Sequence, residues 1–117
     1  MDIEQVRSHC LAKASVTEDF PFNEDVLVFR VGGKIFLLVD LERVPTAINL
    51  KCDPARAIAL RERYEEVKPG YHMNKKHWNT IELEGGVPDA ALLEWIDHSF
   101  DLVAASLRKK DREALGL

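Results

Sequence analysis

Apolar residues recur at two periods along the chain, and each change of period marks an element. Ile3, Val6, Cys10 and Ala14 stand three and four apart, the stripe of an amphipathic helix over Asp2 to Ala14. Asp19-Phe20-Pro21-Phe22-Asn23 breaks that period, because proline removes a backbone donor and biases Phe20 towards extended backbone. Val26 to Val31 and Lys34 to Val39 are β-branched and aromatic runs on either side of Gly32-Gly33, a pair suited to the positive φ angles of a tight primed turn. This pattern predicts a hairpin, with a third strand over Ala47 to Leu50 after a turn at Val44-Pro45.

Asp53-Pro54 supplies an N-cap followed by proline at the first helical position, so a second helix starts there. Its inner stripe is Ala57, Leu60, Tyr64 and Val67, with Pro69-Gly70 as its stop. Trp78 to Leu83 alternates like a half-buried strand, and Glu84-Gly85-Gly86 turns the chain. Pro88-Asp89 opens a last helix through Leu92, Ile96, Phe100, Val103 and Leu107. The order helix, three strands, helix, strand, helix (α-β-β-β-α-β-α) predicts an α+β sandwich: helices packed on a largely antiparallel sheet, the first and third on one face.

Length adds that residues 1–117 make one domain, able to bury a core without disulfides or metal, and no linker or repeat divides it. Two cysteines, Cys10 and Cys52, give no disulfide framework and read as reduced thiols in or near the core. The start Met1-Asp2-Ile3-Glu4 lacks a signal-peptide pattern, and no apolar run approaches a membrane helix, so a cytoplasmic protein with no membrane partner is expected.

Charge singles out one stretch. Net charge is -4, yet Val67 to Ile81 contributes +3 from Lys68, Lys75 and Lys76, which leaves -7 for the rest. The same stretch holds two histidines, Tyr71 and Trp78, and no carboxylate. Lysines contact phosphate as mobile point charges, while tyrosine and tryptophan stack on bases or fill a pocket. In the alternative reading the cluster is structural: Tyr71 and Trp78 anchor a long loop, and Asn74 and Asn79 hydrogen-bond its turns. The acidic remainder argues against nonspecific coating of nucleic acid.

Other chemistry is weakly signalled. Cys52 beside Asp53 at a helix start resembles an activated thiol only in position, and a packed structural thiol is the expectation. Val31-Gly32-Gly33-Lys34 lacks the spacing of a phosphate-cradling loop. His72 and His77 are five apart, without the further ligands that zinc or iron requires. No catalytic residue, metal site or cofactor is predicted, and a non-enzymatic binding module is the expectation.

Several segments match a known pattern: Phe20-Pro21, Lys34-Ile35-Phe36, Lys51-Cys52-Asp53-Pro54, Leu60-Arg61-Glu62-Arg63-Tyr64, and Val67 through Pro69-Gly70-Tyr71-His72-Met73-Asn74-Lys75-Lys76-His77-Trp78 to Asn79. In these, which run through essentially the whole chain, the sequence resembles the MmcQ/YjbR family of small bacterial proteins. The resemblance implies the CyaY-like fold, related to frataxin, and a DNA-binding role. It brings no catalytic residues. Iron handling of the frataxin kind uses an acidic ridge on the first helix, whereas this helix offers only Asp2 and Glu4 beside Arg7 and Lys13. The resulting expectation is weak DNA binding through Lys51, Lys68, Tyr71, His72, Asn74, Lys75, Lys76, His77 and Trp78. The alternative is an anionic small molecule or an acidic protein segment at the same surface.

Overall fold

The computed structural model describes all 117 residues. Helix α1 (Ile3–Leu11) opens with a capping box: Asp2 Oδ1 accepts from the Gln5 amide at 2.9 Å, and Gln5 Oε1 accepts from the Asp2 amide at 2.9 Å. Strands β1 (Val16–Asp19), β2 (Val26–Val31), β3 (Lys34–Asp40) and β4 (Ala47–Lys51) follow, then α2 (Pro54–Arg63), β5 (Val67–Pro69), β6 (Trp78–Glu82), α3 (Asp89–Ala105) and α4 (Lys109–Ala114). All six strands pair antiparallel in one sheet, ordered β1-β2-β3-β4-β6-β5. The predicted α+β class with an antiparallel sheet is the observed one.

Helix α3 packs across β2, β3 and β4, and α1 packs on α3 and β1, so these two helices share one face as their stripes require. The core lies beneath them, around Phe29, Phe36, Leu37, Ile48, Leu50, Ile81, Leu92 and Ile96. Phe36 and Phe100 meet edge to face at 5.4 Å. Consecutive Phe36 and Leu37 can both be buried because pairing with β2 slips between Phe29 and Arg30, leaving Phe36 as the extra residue of a bulge. The buried Ser99 hydroxyl donates to the Phe36 carbonyl at 2.5 Å and accepts from the Lys51 amide at 2.9 Å. No helix is long and apolar enough to cross a membrane. Both cysteines are free and buried.

Five differences from the sequence expectation have local causes. Helix α1 stops at Leu11, short of Ala14. Strand β1 falls between the helical stripe ending at Ala14 and the break starting at Asp19, where no element was expected; it is poor in apolar residues, and ion pairs flank it, Arg30 to Asp19 at 2.9 Å and Arg7 to Glu18 at 2.6 Å. Helix α2 ends at Arg63, not near Pro69: Tyr64 turns extended so that its ring meets Trp95, and Val67 pairs with Ile81 at the sheet edge. Strand β6 is buried at Asn79, Thr80 and Ile81 consecutively, where half burial was expected, because the chain covers both of its faces. The short α4 had no apolar stripe to announce it.

Candidate ligand groove on the helix-free face

The face of the sheet opposite α1 and α3 is floored by one row of paired residues. Val28 pairs with Leu38, Leu38 with Asn49, Asn49 with Thr80, and Thr80 with Lys68. Side chains opposite one another in adjacent strands share a face, so the row crosses five strands from an apolar to a cationic end. Its centre is a hydrogen-bonded relay. The Thr80 hydroxyl donates to Asn49 Oδ1 at 2.6 Å and accepts from the Tyr71 amide at 3.0 Å.

Three loops rim this floor. In the first, Asn23 Oδ1 accepts from the amides of Asp25 (2.8 Å) and Val26 (3.0 Å), an Asx turn that leaves Phe22 66% exposed. The second follows β3, where Asp40 accepts from the Glu42 amide at 3.0 Å and so holds Glu42 and Arg43 over the floor. The third is the cationic stretch itself. Gly70 sits so close to β6 that a Cβ there would lie 2.8 Å from Trp78 Cβ. Tyr71 is 66% exposed, and its ring lies 4.1 Å from that of His72, whose φ of 57° is left-handed.

Between these loops lie two adjoining compartments. The larger, about 500 Å³, is walled by Asp40, Glu42, Arg43, Lys68, Tyr71 and Thr80. The smaller, about 200 Å³, is walled by Phe22, Val26, Leu38, His72 and Met73. Asp40, Asn49 and Tyr71 border both. Arg43 and Lys68 make no ion pair, so two cations face the larger compartment unpaired.

The predicted site residues separate into two groups. Lys68, Tyr71 and His72 line the groove, and Lys76 is exposed on the same loop. The others build the loop. Asn74 Oδ1 accepts from the amides of Lys76 (2.9 Å) and His77 (3.3 Å), and the Lys75 ammonium turns inward to the Gly70 carbonyl at 3.0 Å. The His77 carbonyl accepts from the Cys52 amide at 2.8 Å, and the Trp78 carbonyl from the Gly70 amide at 2.9 Å. Lys51 pairs with half-buried Trp78 at the end of β4.

Arg61 fastens the loop from the other side of the sheet. It donates to Asn79 Oδ1 at 2.7 Å and to the Lys75 carbonyl, while Asn79 Nδ2 donates to the Ala57 carbonyl at 3.3 Å. Sequence reasoning did not select Arg61, Phe22, Asp40, Glu42, Arg43, Asn49 or Thr80. A signal was present for two of them, since Asn49 and Thr80 are polar residues within predicted strands.

The Cys52 thiol is pushed up chiefly by burial, and the Cys10 thiol is pushed up to about 12 for the same reason. Burial and then nearby Arg56 push the His98 imidazole down, consistent with its Nε2 accepting from the Asp53 amide at 3.3 Å.

The family model for YjbR matches residues 11–102. YbdF of Escherichia coli O157:H7 is 40% identical over 94 residues, covering 80% of this chain and 77% of its own. YjbR of Escherichia coli K12 is 29% identical over 116 residues, 98% of each chain. Among solved structures, the Deinococcus radiodurans protein DR2400, a DUF419 domain, superposes with a TM-score of 0.93 at 38% identity, covering 98% of this chain and 88% of that one. A Pseudomonas syringae protein superposes with a TM-score of 0.77 at 28% identity, covering 88% of this chain and 99% of that one.

Proposed function

The chain belongs to the YjbR family, and from that premise we propose that it is a non-enzymatic binding module that takes a compact anionic ligand in the groove on its helix-free face. The observation carrying this reading is a half-open groove of about 500 Å³ whose walls hold Arg43 and Lys68, neither in an ion pair, beside the carboxylates of Asp40 and Glu42. A partly enclosed anion is shielded from screening, so binding persists at moderate salt. Two free buried thiols support a reducing compartment, the cytoplasm. The layering of α1 and α3 on one face of an antiparallel sheet supports kinship with the CyaY-like, frataxin-related fold.

DNA binding is the second reading, favoured by Lys76 and the exposed Tyr71–His72 pair standing together on one loop. It has fewer cations available than the sequence suggested, because the Lys75 ammonium is engaged with Gly70. Titration of the parent and of Arg43→Ala with Lys68→Ala separates the two readings. The probes are an acidic peptide, inorganic phosphate, a single-strand oligomer and a random duplex, at two salt concentrations. Saturable 1:1 binding of a compact anion, weakened at least tenfold in the double variant, is expected. No cation-dependent binding of any compact anion overturns the proposal. Binding confined to nucleic acid, with a log-log salt slope of about 0.9 per phosphate contact, transfers the function to DNA.

A further inference from the structure

Resting on that reading, we propose that the groove is built for a nucleoside monophosphate, with the base in the smaller compartment and the phosphate in the larger. The two compartments differ in chemistry in the way the two ends of such a molecule do. The smaller is apolar and aromatic, walled by Phe22, Leu38, Met73 and the Tyr71–His72 pair. Every nucleobase has a π-face, and stacking on an exposed aromatic ring is a sequence-tolerant source of affinity. The larger offers Arg43 and Lys68, a planar fork and a mobile point charge, to a phosphate.

The border between the compartments fits the sugar. Asp40 and Asn49 line both, and a carboxylate at this place accepts hydrogen bonds from ribose hydroxyls, as acidic residues do in dinucleotide sites. Charge balance limits the phosphate count. Arg43 and Lys68 offset Asp40 and Glu42 within the same walls, so one phosphate is accommodated, while a second or third adds charge next to two carboxylates. Inorganic phosphate or an acidic peptide alone would leave the aromatic compartment unfilled.

Calorimetric titration of the full chain tests this with adenosine, guanosine, cytidine and uridine 5′-monophosphates against ribose 5-phosphate, adenosine, adenosine 5′-triphosphate and inorganic phosphate. At least one monophosphate should bind tenfold or more tightly than ribose 5-phosphate, adenosine and the triphosphate. Phe22→Ala should remove the advantage over ribose 5-phosphate and leave ribose 5-phosphate affinity unchanged. Lys68→Ala should reduce the nucleotide to the affinity of its nucleoside. Displacement of the Tyr71 and His72 ring resonances on nucleotide addition to the parent gives a readout that does not depend on any variant folding. If ribose 5-phosphate or phosphate binds as tightly as every nucleotide, and does so through Arg43 and Lys68, the anion site stands and the nucleotide assignment is wrong. If none of these probes binds, or the rings are undisturbed, the assignment is likewise overturned.

Discussion

Phe29, Leu37, Ile48 and Ile81 face the helices, while their immediate neighbours Val28, Leu38, Asn49 and Thr80 face the groove. A step of one residue along each strand therefore separates the helix-covered core from the opposite face, where Leu38, Asn49 and Thr80 line the groove. The helix-covered face is apolar and interdigitated, and its hydrogen bonds go to backbone irregularities such as the Phe36 bulge. The groove face instead turns polar across its middle, with loops at its rim in place of helices. The same pleat thus gives rise to two surfaces under opposite demands, close packing on one and an open polar floor on the other.

The contrast is most directly broken by truncating the two faces separately. Ile48→Ala should cost about 2–5 kcal/mol, because Ile48 is fully buried. Leu38→Ala, at a partly exposed groove position, should cost less than half as much in the same denaturant titration. Equal losses would mean that the groove face is packed as core. Next comes Asn79→Ala, which strips Arg61 and the Ala57 carbonyl of a buried partner. It should cost about 1–3 kcal/mol, and resonance broadening in residues 70–77 should accompany the loss.

The β2–β3 turn yields a smaller effect. Gly33→Val should cost about 1 kcal/mol or more through its φ of 79° alone, since a Cβ there meets nothing within 4 Å. Gly32→Val should exceed it, because its Cβ would also lie 2.6 Å from Leu107 Cδ1. Thermal melts of the two variants should rank in that order, and the reverse ranking would show that the Leu107 contact yields freely.

The smallest effect concerns Asp97, which joins α3 to His9 of α1 at 2.8 Å and to Lys13, just past the end of α1, at 3.0 Å. Burial pushes this carboxyl up, but hydrogen bonds from His9 and Lys13 outweigh it and hold it below the usual aspartate range. Its contribution is present above the ordinary aspartate value and is lost as pH falls through the lowered one. Asp97 is partly exposed, so screening limits the contribution to under about 1 kcal/mol. Asp97→Asn should make the fall in melting temperature on acidification slightly shallower than in the parent.

What the sequence disclosed follows from where each residue's information is local. The hairpin was legible because two glycines with positive φ are adjacent in the chain, and α3 because its stripe is long and regular. Strand β5 was hidden, since three residues ending in proline carry no period and gain their structure from pairing with β6. The candidate site was legible in part for a similar reason. Lys68, Tyr71 and His72 lie near one another in sequence, whereas Asp40, Arg43, Asn49 and Phe22 reach the groove only through the registers of β2, β3 and β4. The turn bonds of Asn74 were anticipated as the structural alternative, whereas the inward turn of the Lys75 ammonium to the Gly70 carbonyl depends on a contact that spacing alone does not encode.

Arg61 joins parts that the sheet otherwise keeps separate. Its guanidinium reaches from α2 through Asn79 of β6 to the Lys75 carbonyl, behind the groove. Because those bonds share one planar group, lifting the 70–77 loop pulls on the same guanidinium that ties α2 to β6. Opening there is a joint event, and loop amides and α2 amides should exchange with solvent at a common rate, as one cooperative unit of the fold. The wall of the groove is then as steady as the helix behind it, and a ligand meets a surface whose shape is set before it arrives.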